Sequence, residues 1–493
     1  MKDNGEEKAS SGRLFLTVFP SIMLPMFLAV VDQTIVATAL PAIAASLGNV
    51  GRVSWVVVAY LVAATIAAPV YGQLRDVYGG RRMMFIALAV FIGASLLCAA
   101  STSVEMLTFG RVLQGLGGGG LMTLSQSLIG ETIPPRERAR YQGYLASIMV
   151  TSSTFGPVAG GYLTQHLGWR SVFLVNIPLG LLAVLLTLRL EPRAVRDQPW
   201  RFDTYGLYLF IAFIVPLLLA LDRAQRMNAD ALPIVLALAA VAIVALVLLI
   251  RQERRSPYPL LPIALLRNPT VWRSDALAAC HGAQLVSLIS FLPLYFRVQR
   301  GATASEMGLM MLPLVFGIGI GSMLTGRVVS RTGLTTIFPS VGLILAVPVL
   351  VLFALYADAL TIRQLPWPLF FLGLCMGTVM GVVQVTVQNA AGPTSLGSAV
   401  GSVQLSRSVG AAAGTALVGT VLFASIALSH PETADAFARM VEGAAGLSGV
   451  PAARQGTVAT DIASAFRAAF LTIAAFAALG AALAWSIPTR RLT

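Results

Sequence analysis

From Leu14 almost to its last residues the chain is a succession of apolar runs, each about 20 residues long, separated by short polar segments. A run of that length crosses the ~30 Å hydrocarbon layer of a bilayer as a helix, and a helix satisfies its own backbone hydrogen bonds where no water is present. Only 11% of the 493 residues are charged and 57% are hydrophobic, whereas soluble domains carry about 25% charged residues. Such a chain cannot coat a water-facing globule. The expectation is an all-α polytopic membrane protein whose first partner is the lipid bilayer.

The runs place spans near 14–40, 53–73, 83–101, 105–129, 141–164, 171–190, 204–222, 231–250, 271–296, 306–328, 336–356, 367–389, 398–427 and 466–487, about fourteen in all. Residues 1–13 read as a cytoplasmic N-terminal tail. The run that follows continues to about Leu40, too long for the apolar core of a signal peptide, so it reads as an uncleaved first span, kinked by Pro20 and Pro25.

The net charge of +13 does not point to nucleic acid, because the basic residues lie in short loops and form no patch interleaved with aromatics. They fix orientation instead. With the N-terminus inside, about 22 Lys and Arg fall on cytoplasmic segments and about 10 outside, Arg111 and Arg407 being within spans. The inner clusters are Arg75/Arg81/Arg82, Arg136/Arg138/Arg140, Arg189/Arg193/Arg196/Arg201 and Arg251/Arg254/Arg255. Both termini are then cytoplasmic. Cys98, Cys280 and Cys375 are isolated within apolar stretches, with neither disulfide nor metal-ligand spacing.

An internal echo organises the chain. Gly72-x-x-x-Asp76-x-x-Gly79 after span 2 recurs as Gly326-x-x-x-Ser330-x-x-Gly333 after span 10. Two six-helix halves, 14–190 and 271–493, separated by an inserted two-helix segment over 191–270, give this spacing, and parallel repeats of this kind mark transporters. A long outer loop is expected near 428–465, rich in Gly, Ala and Pro.

Charge inside a span needs a reason, since it costs about 2.5–3.5 kcal/mol even on the lenient insertion scale. Asp32 and Arg111 are the clearest cases. Asp32 follows the inner end of span 1 at Arg13, and Arg111 precedes the inner end of span 4 at Glu131; both lie roughly 28–30 Å along their helices and so share a depth. A buried pair that only orients two helices is one reading. Pairing favours the charged form of a carboxyl group and unpaired burial the neutral form, so a site that alternates between these conditions can bind and release a proton.

The loop after span 2, from Gly72 to Arg82, carries a second constellation. Gly72 allows helices to approach closely and Gly79 permits a sharp turn. Asp76 can receive a helix N-terminus or an arginine, contacts that form in one conformation and break in another. With Leu74, Arg81 and Arg82, this loop resembles the G-x-L-x-D-x-x-G-x-R-R/K signature of the major facilitator superfamily. Asp32-Gln33-Thr34-Ile35-Val36-Ala37-Thr38-Ala39-Leu40-Pro41 resembles the span 1 motif of its fourteen-span drug:proton antiporter family, with Ala37 where that family has Asn. Arg111-Val112-Leu113-Gln114-Gly115-Leu116-Gly117 resembles the family's R-x-x-Q-G-x-G motif. Gly143, Ser152, Gly156, Pro157, Gly160 and Gly161 resemble its antiporter motif, one Gly being Ser152. Arg407 also stands at a basic position of the family.

The resemblance implies the major facilitator fold in a bacterial cytoplasmic (inner) membrane, with two six-helix halves plus two inserted helices. It implies a secondary active transporter and no enzyme, with no cofactor and no metal, driven by the proton gradient. Asp32 and Arg111 would couple the proton; Gly72, Arg75, Asp76, Gly79, Arg81, Arg82 and Glu131 would form a conformational switch. Polar or aromatic side chains that could line a substrate path are Tyr60, Gln126, Phe155, Asp275, His281, Gln284, Phe291, Tyr295, Gln384, Gln388, Gln404 and Arg407. Asp275, two residues from Arg273, is expected at a water-facing interface. Export of amphipathic, often cationic compounds is the leading expectation, with export of one endogenous lipid, siderophore or metabolite, or a non-transporting sensor or scaffold, as alternatives. The resemblance also admits a periplasmic adaptor protein as a partner.

Overall fold

The computed structural model describes residues 19–48, 53, 55–191, 202–224, 232–261, 263–429, 431–442 and 452–491. Among them the regular structure is helical, and the lone β-bridge joins Leu334 to Arg491. The helices are α1 (Phe19–Leu47), α2 (Trp55–Tyr78), α3 (Gly80–Ala99), α4 (Val104–Thr132), α5 (Pro135–Leu167), α6 (Ser171–Leu174), α7 (Asn176–Thr187), α8 (Thr204–Ala224) and α9 (Leu232–Arg255). They continue with α10 (Ile263–Leu266), α11 (Pro269–Arg300), α12 (Ala304–Thr332), α13 (Ile337–Tyr356), α14 (Pro366–Gly377), α15 (Met380–Ala391), α16 (Leu396–Ala427), α17 (Pro431–Glu442) and α18 (Ala452–Ser486). The expected tail 1–13, the first residues of span 1 and Arg193, Arg196 and Arg201 lie outside the described residues.

Among the described residues, eleven helical segments are long and apolar enough to cross a membrane. The other three expected spans are helices that miss that measure for visible reasons. Arg111 and the glycines 117–120 dilute α4; Gln142, Ser147, Thr151, Ser152, Ser153, Thr154 and the glycines of α5 dilute that helix; the Ser171–Thr187 stretch is short and steps at Val175. Helix α1 runs on through Pro25 and Pro41.

The chain divides into two compact units. The first holds 1–214, 248–267 and 387–405; the second holds 215–247, 268–386 and 406–493. In the first, α4 packs on both α2 and α3, and α1 packs on α4, α5 and α7. Missing side chains allow it: a Cβ on Gly115 or Gly119 would meet the carbonyl oxygens of Tyr60 and Ala64 on α2, and one on Gly117 would lie 2.7 Å from the Phe91 nitrogen of α3. In the second unit, α12 packs on α14 in the same manner, Gly317 and Gly321 facing the carbonyls of Phe370 and Leu374. The packing of α2 on α4 and of α1 on α7 in the first unit has counterparts in α12 on α14 and α11 on α18 in the second. Gly79 and Gly333, the last glycines of the echoed motif, both follow helix ends with positive φ, 87° and 70°.

In the second unit the segment 428–465, expected as a long connection, contains helix. Within 428–465 the structure has α17 and the first turns of α18, which begins at Ala452 and not near 466. The cause is an amphipathic pattern: Thr433, Ala436, Phe437 and Met440, spaced by three and four, are buried, while Asp435 and Arg439 are exposed. Phe437 lies edge-on to Phe423 at 6.0 Å, and the Thr433 hydroxyl donates to Asp461 at 3.0 Å. Phe437 thereby joins an aromatic core of Tyr295, Phe353, Phe466 and Phe470.

Candidate functional site

Asp32 lies midway along α1, and its carboxylate has no solvent exposure. Arg111 of α4 meets it with Nη1 2.5 Å from Oδ2. Oδ1 accepts from Gln114 Nε2 at 2.9 Å and from Asn176 Nδ2 at 2.8 Å. Arg111 is held in turn. Its Nη1 also donates to Gln114 Oε1 at 2.7 Å, its Nε donates to the Val56 carbonyl at 3.2 Å, and its guanidinium lies 4.2 Å from the centre of the Tyr60 ring. The Tyr60 hydroxyl donates to the Ala29 carbonyl at 3.2 Å, and Ser95 accepts from Gln114 at 2.8 Å. Helices α1, α2, α3, α4 and α7 each supply a member.

Removing two charges from water costs several kcal/mol per ion, and a buried pair persists only if its remaining donors and acceptors are met. Here three donors meet the carboxylate. The pair thus balances one negative and one positive charge within the network. Among the described residues, no cluster of three His, Cys, Asp or Glu side chains is placed to hold a metal.

The second constellation lies at the junction of α2 and α3. Arg75 pairs with Asp76 at 2.8 Å and with Glu131, at the end of α4. Asp76 accepts from the backbone N–H groups of Gly397 and Ser398 at 2.8 and 2.9 Å, and from the Ser398 hydroxyl at 2.8 Å. Those groups open α16, whose first N–H groups have no partner within the helix and carry partial positive charge. Gly72 touches Gly397 backbone to backbone. Arg81 donates to the Leu188 carbonyl at 3.2 Å, whereas Arg82 is exposed and stacks 5.8 Å from the Tyr78 ring. Gln73 donates to the Pro259 carbonyl at 2.8 Å, so the segment after α9 is fastened to the same junction.

The glycines of α5 face α1. A Cβ on Gly156 would strike the Thr34 hydroxyl, and one on Gly160 would meet Thr38 and lie 2.8 Å from the Ile35 carbonyl, whereas Gly161 faces open space. The Thr34 hydroxyl approaches the Ser152 carbonyl at 3.4 Å. Gly143 and Ser152 are buried, and α5 runs unbroken through Pro157, which is exposed.

The other expected substrate contacts separate. Tyr60 belongs to the Asp32 network. Gln388 donates to the Gln126 carbonyl at 3.1 Å, and both residues are buried, as is Gln404. His281, Gln284 and Gln384 are buried in the second unit, with Arg407 partly buried, its charge within reach of His281. Phe291 and Tyr295 pack into the apolar core, and the Tyr295 hydroxyl donates to Asp358 at 2.8 Å; Phe155 is exposed. Asp275 corrects its expectation. It is only 4% exposed, because two residues turn a helix through about 200°. Arg273, partly buried, reaches the Ser486 carbonyl instead.

Asn176 and Ser95 are members that sequence reasoning missed, and Gln114 stood only as a motif letter. One signal was available: Asn176 is a lone amide in the apolar stretch from Val172 to Leu186.

The model of the Major Facilitator Superfamily matches residues 22–415. The chain is 31% identical to the multidrug transporter protein MdtP of Bacillus subtilis over 422 residues, 86% of this chain and 77% of that protein. It is 28% identical to the efflux pump FUS6 of Gibberella fujikuroi over 460 residues, 90% of this chain and 82% of that one. Among solved structures it shares its fold with the human organic anion transporter MFSD10, at 15% identity and a TM-score of 0.65, covering 95% of this chain and 99% of that one.

Proposed function

The chain belongs to the major facilitator superfamily, a multi-pass membrane transporter and not an enzyme, and from that premise we propose that it exports amphipathic, often cationic compounds in exchange for protons. The observation that carries the reading is the Asp32–Arg111 pair, sealed from solvent and met by three donors. A buried carboxylate balanced by a single cationic partner is a site whose charge a proton would cancel. The relative named as an efflux pump, FUS6, supports the direction of transport, and the multidrug transporter MdtP supports the substrate class. In this reading the protein crosses a bacterial inner membrane fourteen times with both termini inside, α4, α5 and the Ser171–Thr187 stretch completing the eleven apolar segments.

In the cycle we propose, Asp32 takes a proton or a cationic substrate but not both at once. Protonation frees Arg111 to keep its bonds to Gln114 and the Val56 carbonyl. Asp76, by gripping the first turn of α16, stabilises one access state; Arg75 and Glu131 hold Asp76 in position. One pH unit supplies about 1.4 kcal/mol per proton, and 100 mV adds about 2.3 kcal/mol per charge moved. Together they sustain roughly a several-hundred-fold gradient of a neutral substrate for each proton.

The test is reconstitution in liposomes holding a pH-sensitive dye, with cationic dyes added one at a time. Proton movement that depends on substrate and is lost in Asp32→Asn is the expected result. Exchange in Asp32→Asn as fast as in the wild type would sink the proposal.

A further inference from the structure

The Asp32 network contains one uncharged donor, Asn176, whose shorter contact is to the carboxylate itself. Arg111 is a counter-ion. Gln114 is engaged at both ends, its Oε1 accepting from Arg111 at 2.7 Å while its Nε2 donates to Asp32 and to Ser95. Asn176 comes from a different helix. It is the first residue of α7, placed by the step at Val175 that separates α7 from α6, and Pro178 follows within the first turn. Its side chain is 1% exposed, and its Nδ2 lies 2.8 Å from Asp32 Oδ1 against 3.4 Å from Ser95 Oγ. The amide is therefore aimed at the carboxylate.

We infer that Asn176 is a positioning residue that holds Asp32 in its charged form and so sets the pH at which the site takes up a proton. The inference rests on the reading of Asp32 as the proton-binding group. An N–H donor stabilises a carboxylate and does nothing comparable for a carboxylic acid, because the charge that strengthens the bond is gone. A neutral amide does this without adding a second positive charge that would lock the site in the ionised state. The titratable and charged groups facing Asp32 are Arg111 from α4 and Tyr60 from α2, with Cys98 of α3 reached through Gln114. The contact from α7 is the uncharged Asn176, and α5 approaches through Ser152 and Gly156, at Thr34.

The sign follows. Loss of the donor removes stabilisation from the charged form alone, so the variant stays protonated to higher pH. A hydrogen bond to a charged group corresponds to about a tenfold change in proton affinity, or about one pH unit.

The test is a pH titration of the carboxyl C=O infrared band in the purified full-length protein in lipid vesicles, the Asp32 band being the one missing in Asp32→Asn. Asn176→Leu, which fills the volume without a donor, is expected to move the midpoint of that band up by about one pH unit. Asn176→Gln, which keeps the amide, returns it toward the wild-type value. Asn176→Ala serves where the leucine variant does not fold. A midpoint unmoved in folded Asn176→Leu or Asn176→Ala overturns the inference and leaves Asp32 as the proton site. No titrating band lost in Asp32→Asn overturns the proton-site reading, and the inference with it.

Discussion

The Asp76 carboxylate holds Ser398 by both its backbone N–H and its hydroxyl, at 2.9 and 2.8 Å, and takes the Gly397 N–H with its other oxygen at 2.8 Å. The two residues stand 322 positions apart in the chain. A carboxylate across the start of α16 thus does the work that a capping side chain within the helix would do, and adds its charge to the positive end of the helix. Such a contact can be made in one conformation and given up in another at the cost of its own hydrogen bonds.

Substituting Asp76→Asn removes the charge and turns an N–H₂ group toward a donor. Hydrogen bonds to charged groups contribute about 1.5–3 kcal/mol each, so the state that contains this contact loses at least tenfold in population. The expected outcome is an initial rate of dye efflux from proteoliposomes at least ~10-fold below wild type. Ser398→Ala removes one of the three bonds and leaves the two backbone ones, so it should slow efflux less than Asp76→Asn does, by about tenfold on a loss of about 1.5 kcal/mol. Equal rates in Asp76→Asn and wild type would remove the switch role from Asp76.

Tyr60 separates two contributions to the same ion pair. Its ring lies 4.2 Å from the Arg111 guanidinium, and its hydroxyl bonds the Ala29 carbonyl. Tyr60→Phe keeps the ring and loses one neutral hydrogen bond, about 1 kcal/mol. Tyr60→Leu loses the ring face as well, a further ~2 kcal/mol for a desolvated cation–π contact. Thermal unfolding in detergent should rank wild type, Phe, then Leu, with the second step the larger. A leucine variant as stable as the phenylalanine one would show that the stacking contributes nothing.

How far the sequence reaches is seen at these residues. Helical segments were legible because apolar runs of bilayer length leave few alternatives. The meeting of Asp32 and Arg111 was legible because two charges at one depth in apolar surroundings have few partners but each other. What Asp76 holds was only a class of partner, a helix end or an arginine, since nothing in α2 records which helix opens beside it. Asn176 was invisible as a partner of Asp32, because one amide among apolar residues gives no direction. Asp275 was misjudged because nearness in sequence to Arg273 is not nearness on a helix surface, where two residues lie on opposite faces. α17 was missed because its mixed polarity reads as a loop until the spacing of Thr433, Ala436, Phe437 and Met440 is laid on a helix.

That spacing carries its own prediction. Phe437 is 5% exposed, and its ring lies among Phe423 and Phe466. Phe437→Ala leaves a cavity costing about 3–5 kcal/mol, so the melting temperature in detergent should fall clearly. Arg439, on the exposed side of the same helix, should accept alanine within about 0.5 kcal/mol. Equal melting of the two variants would mean that α17 does not pack on the core.

The α1–α5 contact offers a comparison within a single motif. Gly156 and Gly161 are five residues apart on α5, yet a methyl group on Gly156 would collide with Thr34 while one on Gly161 would touch nothing within 4 Å. Thr34 is two residues from Asp32, so an intrusion at 156 presses on the stretch of α1 that carries the carboxylate. Overpacking costs about 1–3 kcal/mol, and here it also moves Asp32 against Arg111, whose bonds tolerate little displacement. Gly161→Ala, by contrast, gains up to ~1 kcal/mol of helix propensity and displaces nothing. Substrate-driven proton movement in proteoliposomes should therefore fall by tenfold or more in Gly156→Ala and stay near wild type in Gly161→Ala. If both variants transport equally well, close packing of α5 on α1 is not what the motif provides; if both fail, Gly161 makes a contact in another step of the cycle that this conformation does not contain.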